Sequence, residues 1–544
     1  MKNRALYWYL AIAIVAYIVR LIIIFDLKND YFFFFHPTID AFTAHKAAIN
    51  IANGDLLDRN VFVWQAPFYS YFLAAVYKLT SVIKGLSENQ AIFIVKVLQI
   101  ITGVMNCLLI MRLSVKIFSL RVAILAGFIA ALYGPFIVFE ADLTGVVFHI
   151  FFNLVSLVLL IEAVERRQAK LLLLSGMMLG LSALAVPNIM LFLPAAAIWT
   201  FYALKYPAGM NRNSYGIQKR VGLSSLIFAG CILVLLPWTA RNYVVEKSFI
   251  LISPNGGLNF YIGNNKDYEK TINIRPGLQW DMLMSLPEKE GINYKLSSGF
   301  YYGKSFEFIR ENPFEYLTLL IKKCYLFWHG EEIKRNQDMY THRAFSKLFS
   351  FLVWKNIIAF PFGFIGPLAI AGIVLSMKNR GAGILPMLFI LFYFMSIILF
   401  FVTDRYRIPV VPVLIIYASY AIVRLYDFFT MKEWIKAAGI ISSVFLLIIL
   451  LNTGLKKGND IDPEYYFLKG VGLIHLKDYQ GAVDTLYQAV KMDPFNGEAY
   501  YRMGLAFLHL GKLADADATF KKAIEIEPLY KIVIEKRLER FSSE

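Results

Sequence analysis

The sequence predicts an all-α integral membrane protein with a soluble helical tail. Three observations carry this. The 544 residues are 58% hydrophobic and only 17% charged, too apolar for a soluble chain of this size. Many stretches reach the roughly 20 apolar residues that a helix needs to cross a bilayer core of about 30 Å. After Leu451 the chain turns polar and repeats itself.

The first apolar run, residues 7–25, follows the basic start Met1-Lys2-Asn3-Arg4 with no small-residue cleavage site after it, so it reads as an uncleaved first span. Further runs fall near 91–111, 121–140, 143–162, 171–186, 188–204, 222–238, 351–376, 384–402, 408–424 and 435–452. Residues 67–83, "PFYSYFLAAVYKLTSVI", are short and rich in Tyr, Ser and Thr, as an in-plane amphipathic helix would be. The charge rule arbitrates. If 67–83 does not cross and the N-terminus is cytoplasmic, then Arg112/Lys116/Arg121, Arg166/Arg167/Lys170, the run from Lys205 to Arg220, Lys378/Arg380 and Arg424/Lys432 all fall inside, as positive-inside loops do. The expectation is about eleven spans. The formal charge of +16 then belongs to membrane topology and not to nucleic acid. Residues 26–90, the turn at Asp142, a soluble domain at 241–350, residues 403–407 and the C-terminus face the other side. The three cysteines, Cys107, Cys231 and Cys324, form no CxxC pair, so neither a disulfide framework nor a metal site is expected.

In the tail, Tyr500, Gly504, Phe507, Gly511, Ala516, Phe520, Ala523 and Pro528 are matched one unit earlier by Tyr466, Gly470, Leu473, Ala482, Leu486, Ala489 and Pro494. This 34-residue period resembles the tetratricopeptide repeat, whose helices meet at small residues. Residues 1–452 are thus expected to form the membrane domain and 453–544 two repeats plus a capping helix at 529–541. Two repeats are few for independent stability, so they should lean on the membrane domain, either docking a protein partner or serving as a packed lid. Asp515 and Asp517 flank Ala516 and read as a solvated helix face, not as a metal-holding pair.

Four stretches carry chemistry: "HPTIDAFTAHKAAINIANGD" (36–55), "LVLLPWTARNYVVEKSFILISPNGGLNFYIGNN" (233–265), "FWHGEEIKRNQDMY" (327–340) and "TDRYRIPVVPVLIIYAS" (403–419). Together they resemble the GT-C glycosyltransferases that use polyprenyl-phosphate sugars. These include the protein O-mannosyltransferases, the lipid A aminoarabinose transferases and a galacturonosyltransferase-like bacterial group. The likeness covers about residues 1–430. The whole layout resembles animal O-mannosyltransferases that carry tetratricopeptide repeats. The resemblance implies that Asp40, in the first outer loop, is the catalytic base. It implies a second catalytic acid at Asp142 in "EADLTG" and a basic residue that binds the donor phosphate at Lys96 in "FIVKVLQII". The chain departs from the family at Val186, where Arg commonly precedes the proline of "GLSALAVPNIMLFLP".

The chemistry fits these residue types. An acceptor hydroxyl attacking C1 must lose its proton to a carboxylate, and the departing lipid phosphate needs cations, for which the Arg fork is suited. Arg405 and Arg407 lie just outside an apolar run, at headgroup height. Pro409 disfavours a regular helix through Ile408, so an extended clamp with both guanidinium groups on one site is expected. Glu332, His329 and Arg241 are candidate acceptor-side or accessory residues. His149 reads as a hydrogen-bonded core histidine, and the Gly256, Gly257 and Gly263 region as a loop. No metal is required in principle, and a divalent ion stays open as a cofactor. Expected partners are a polyprenyl-phosphate-linked sugar, an acceptor protein or glycolipid, a protein at the repeats and the bilayer. The expected location is a bacterial inner membrane with the site on the periplasmic or extracellular face. Two other classes compete. A transporter or flippase would carry ionisable residues deep in the spans and an internal symmetry, whereas these runs look nearly free of charge. A non-catalytic scaffold would leave Asp40 and Arg405 without a task.

Overall fold

The computed structural model describes residues 2–59, 65–83, 85–205, 215–293, 297–335, 337–377, 383–455 and 461–543. The basic residues Lys378 and Arg380, and most of the run after Lys205, lie outside them.

The chain opens with α1 (Lys2–Asp30), which meets the length and hydropathy of a span from Ala5 onward. Two short helices follow, α2 (Ile39–Ala52) and α3 (Phe68–Ser81). Fourteen residues make a helix of only about 21 Å, and α3 does not read as a span. It packs instead on α2, through buried Ala41, Ala44 and Ala48 on one side and Tyr69, Leu73 and Ala74 on the other. His45 fastens the pair: its ring nitrogens meet Tyr77 Oη at 2.8 Å and Glu88 Oε1 at 2.9 Å.

Next come α4 (Glu88–Ile117), started by a Ser87/Gln90 capping box, α5 (Leu120–Ala131), α6 (Gly134–Ala141) and α7 (Val146–Arg166). α5 and α6 are bent by 50° at a break of a few residues and together have the length of one span. α8 (Ala169–Ala185), α9 (Phe192–Ala203) and α10 (Ile217–Glu246) complete this half. α8 and α10 touch backbone to backbone. A Cβ at Gly176 would stand 2.1 Å from the Ile227 carbonyl oxygen, and one at Gly230 would stand 2.1 Å from that of Leu173. Small residues permit such close approach of membrane helices.

Six short helices fill the connection after α10: α11 (Gly256–Gly263), α12 (Tyr268–Ile272), α13 (Leu278–Met284), α14 (Leu286–Lys289), α15 (Ser297–Glu311) and α16 (Pro313–Trp328). The glycine-rich stretch is therefore the helix α11 and not a loop. Gly257 and Gly263 are needed because Ser298 and Phe400 carbonyls pass within 2.0 and 1.9 Å of where their Cβ atoms would be. α17 (Lys347–Leu352) and a two-stranded hairpin, β1 (Trp354–Lys355) with β2 (Ala359–Phe360), lead back to the membrane helices. These are α18 (Phe362–Ser376), α19 (Ile384–Ile398), the one-turn α20 (Asp404–Arg407), α21 (Val411–Thr430) and α22 (Trp434–Leu451).

Among the described residues, six helices are long and apolar enough to cross a bilayer, or seven with the bent α5–α6 pair, and four shorter apolar helices accompany them. The chain is a multi-pass membrane protein. Its apolar helices are less free of charge than the sequence suggests. Arg20, fully buried in α1, donates from Nε to Glu140 Oε2 at 2.7 Å and from Nη2 to Oε1 at 3.0 Å. Its Nη1 reaches the Ala16 and Ala131 carbonyls. Lys96 is likewise 1% exposed. Buried ions persist where such pairing satisfies them.

The tail forms α23 (Pro463–His475), α24 (Tyr479–Met492), α25 (Gly497–His509), α26 (Leu513–Ile526) and α27 (Tyr530–Ser543). Gly470 lies against Leu486 and Gly504 against Phe520; Ala482, Ala489, Ala516 and Ala523 are buried. α27 caps α26 through Tyr530 and Ile534. The tail leans on the rest of the chain. Tyr465 stacks on Tyr31, with ring centroids 5.8 Å apart, and touches Phe33 and Phe345.

Candidate active site

Asp40 sits in the first turn of α2. The residue before it, Ile39, has φ of 51°, a left-handed conformation that is costly for a β-branched side chain. That kink follows a loop held on three sides. Lys96 Nζ donates to the Phe34 carbonyl at 2.7 Å and lies 3.8 Å from the Phe34 ring centroid. Gln337 Nε2 donates to Thr38 Oγ1 at 3.2 Å, and Tyr31 Oη donates to Gln337 Oε1 at 2.9 Å. Tyr31 is pinned by Tyr465 of the tail.

The Asp40 carboxylate is about one-third exposed. Its Oδ1 accepts from Gln65 Nε2 at 3.0 Å, and its Oδ2 pairs with Arg405 Nη1. Arg405 enters from the one-turn helix α20, at the head of α21. Its Nε is buried with no hydrogen-bond partner.

Asp142 ends α6 and accepts the Leu143 N–H at Oδ1, 2.8 Å away. Gln99 Nε2 donates to the carbonyls of Glu140 (2.7 Å) and Asp142 (2.8 Å), while Tyr69 Oη donates to Gln99 Oε1 at 2.5 Å. Burial raises the Asp142 carboxyl above the usual range. Lys96, the Leu143 N–H and Arg405 oppose that rise, and Asp40 adds to it. Two acids and two cations thus share one electrostatic neighbourhood. Three are sequence-distant and arrive on different elements: Asp40 on α2, Asp142 after α6 and Arg405 on α20.

Other expected site residues lie elsewhere. The extended clamp does not form. Thr403 is extended (φ −144°, ψ 164°), but Asp404–Arg407 is a helical turn, continued by a 3-10 turn over Ile408–Val410. Residues two apart on a helix point different ways. Arg405 therefore meets Asp40, while Arg407 turns into the protein. It is 1% exposed and donates to the carbonyls of Phe327 (3.1 Å), His329 (2.6 Å) and Glu331 (2.9 Å) and to Glu332 Oε2 (2.7 Å). Its guanidinium also covers the Phe362 ring. Glu332 is thereby the buried partner of Arg407. His329 accepts the Glu331 N–H at Nδ1 (3.3 Å), so Nε2 carries the proton toward the Thr453 carbonyl, 3.1 Å away. Arg241 donates to the carbonyls of Leu57 (2.7 Å) and Asp58 (2.8 Å) and to Glu246, which fixes the turn after α2. His149 is the core histidine expected, held between Ser182 and Tyr393.

The sequence reading missed Gln65, Gln99, Arg20 and Glu140. Gln99 was findable, because it lies three residues after Lys96 and shares its helical face. Arg20 and Glu140 were findable as ions inside apolar runs. Gln65 has no local signal. Among the described residues no group of three or more His, Cys, Asp or Glu side chains could hold a metal ion.

Residues 65–238 match the family of dolichyl-phosphate-mannose-protein mannosyltransferases, and residues 463–496 and 497–528 each match the tetratricopeptide repeat. No curated protein matches. Two solved structures are similar at low identity. The apo oligosaccharyltransferase of Archaeoglobus fulgidus is 14% identical over 91% of this chain, with a TM-score of 0.47. ArnT from Cupriavidus metallidurans, bound to undecaprenyl phosphate, is 16% identical over 95% of this chain and 78% of its own, with a TM-score of 0.43. This chain spans 60% of the length of the archaeal enzyme. Residues 65–238 are thus similar to the dolichyl-phosphate-mannose-protein mannosyltransferases, and two tetratricopeptide repeats follow.

Proposed function

We propose that the chain transfers a sugar from a polyprenyl-phosphate carrier to a hydroxyl acceptor on the non-cytoplasmic face of the membrane. The observation that carries this is the partly exposed ion pair between Asp40 and Arg405, within electrostatic reach of Asp142, which Lys96 also influences. In the reaction the acceptor oxygen forms a bond to C1 of the sugar. Asp40 takes the acceptor's proton. The bond from C1 to the phosphate oxygen breaks on the opposite face, and the electron pair leaves with the polyprenyl phosphate. The product is inverted at C1. Arg405 exchanges its contact with Asp40 for the donor phosphate, which frees the carboxylate as the phosphate arrives. Its unpartnered Nε gives it a further donor for that role. Burial strengthens such pairing. Asp142 and Lys96 shape the field around it, and Lys96 holds the Phe34 carbonyl at the same time.

The test is release of polyprenyl phosphate by the purified full chain in nanodiscs from a panel of undecaprenyl-phosphate sugars. Acceptor-dependent release supports the proposal; movement of the intact donor between leaflets with no release refutes it. Sidedness is read separately, with single cysteines in a Cys-free background. A cysteine at Gly85 should react with an impermeant thiol reagent in sealed cells, and one at Gln168 only after the membrane is opened. The reverse pattern would show that residues 67–83 cross the membrane and that the span count differs.

A further inference from the structure

The two helices of each repeat face different surroundings. One side of the first helix of each, α23 and α25, is covered by the chain itself, while Met503 and Phe507 of α25 line the groove described next. Tyr465 packs on Tyr31, Phe33 and Phe345, Gly472 lies under Phe32, and His475 meets Phe42. On α25, Glu498 Oε2 accepts the Leu278 N–H at 3.1 Å, and Arg275 pairs with Asp493 at 2.7 Å just before that helix. The second helices, α24 and α26, border an open groove of about 620 Å³. Its floor is Val483, Met503 and Phe507; Tyr487, 58% exposed, forms one wall. Asp484 and Asp515 stand on opposite sides, one on each helix, and none of the lining residues is basic.

We propose that this groove binds a polypeptide segment that places an aromatic or aliphatic residue on Met503 and Phe507 and flanks it with Lys or Arg. The apolar floor supplies burial. The two aspartates select the sign of the flanks, in a chain whose net charge is +16 and which would otherwise repel a basic partner. The same two aspartates disfavour an anionic lipid surface. The two acids around Ala516 thereby separate in role: Asp515 lines the groove, whereas Asp517 pairs with Lys521 at 2.7 Å. The proposal does not depend on the glycosyl-transfer reading.

The experiment is selection of a displayed random-peptide library on the full chain in nanodiscs. It is run in parallel on Asp484→Lys/Asp515→Lys and on Ala518→Trp, which fills the groove. Thermal melting checks that both variants stay folded. The wild type should enrich peptides with an apolar residue between basic ones. Synthetic copies of those peptides should bind at least tenfold more weakly to the charge-reversed variant, and more weakly to the wild type at high salt. Failure to enrich any peptide, enrichment of neutral or acidic peptides, or binding unchanged in both variants overturns the proposal. So does a peptide-free dimer, seen by light scattering, that the charge-reversed variant abolishes, since the groove would then be a contact between two copies of this chain.

Discussion

Arg405 and Arg407 stand one residue apart on the same helical turn, yet their ion pairs are of opposite kinds. The Arg405–Asp40 pair is 25% and 35% exposed, and Arg405 keeps one nitrogen unpartnered. The Arg407–Glu332 pair is 1% and 2% exposed, with three backbone carbonyls completing the guanidinium. A partly exposed pair is worth less to the fold and is more easily exchanged than a dry one. A dry, fully satisfied one is strongly felt when either partner is removed. Residue type and spacing alone therefore do not mark a site; burial and partners decide which charge is free to rearrange.

The largest expected effect comes from the exchangeable pair. Asp40→Asn should keep the wild-type melting temperature and lose turnover by roughly two to four orders of magnitude, the scale of a missing general base. Turnover near wild type would move the base to Asp142 and dissolve the contrast. The buried pair should behave in the opposite way. Arg407→Ala strands Glu332 and three carbonyls and should cost about 3–5 kcal/mol of stability, seen as a lower unfolding midpoint in detergent. Glu332→Gln keeps an acceptor and should cost less. If Arg407→Ala melts normally but fails to use donor, the two arginines share a task after all. Arg405→Lys sharpens the comparison further. It keeps the charge but loses the two-toothed fork, so kcat/KM for donor should fall roughly 10- to 100-fold, the scale of a charge-assisted hydrogen bond, with KM up and kcat down together.

The smallest effect concerns a buried cation held by an amide, with no carboxylate partner among the described residues. Lys323 on α16 is fully buried, donates to Asn264 Oδ1 at 2.9 Å, and burial pushes its ammonium down to about 7 from 10.5. Between those values the unfolded chain binds more protons than the folded one, so this lysine makes stability rise with pH across that window. Lys323→Met should flatten the rise in melting temperature between about pH 7 and pH 10 relative to wild type. An unchanged slope would mean that Lys323 stays charged in the fold.

Much of the architecture was legible because it rests on local physics. The apolar runs, the Ser87 start of α4 and the small residues of Gly470, Ala482, Gly504 and Ala516 each carry their own signal. Asp40 was reached through resemblance, not geometry, since nothing local marks it above other acids at helix starts. The clamp failed for an identifiable reason. A proline disfavours helical geometry in the residue before it, yet Ile408 adopts φ −54° and ψ −34°. Pro409 fits near the start of a helical turn, where its missing N–H costs little, and Asp404 favours a helix beginning at that point. The partners of Arg407 come from residues 327–332, some 75 to 80 positions away, and no pattern around Arg407 announces them.

The seating of Tyr465 on Tyr31 has a consequence in time. A membrane chain emerges and inserts from its first residues onward, and its segments fold in that order during synthesis. The loop that leads to Asp40 is among the first parts made, and the aromatic ring that pins it is encoded 434 residues later. The growing chain therefore carries that loop through most of translation without the ring that packs on Tyr31. The last contact on Tyr31 arrives late, when the repeats fold back onto the oldest part of the molecule. A nascent chain arrested before Tyr465 would be inserted with Tyr31 lacking that stacking partner.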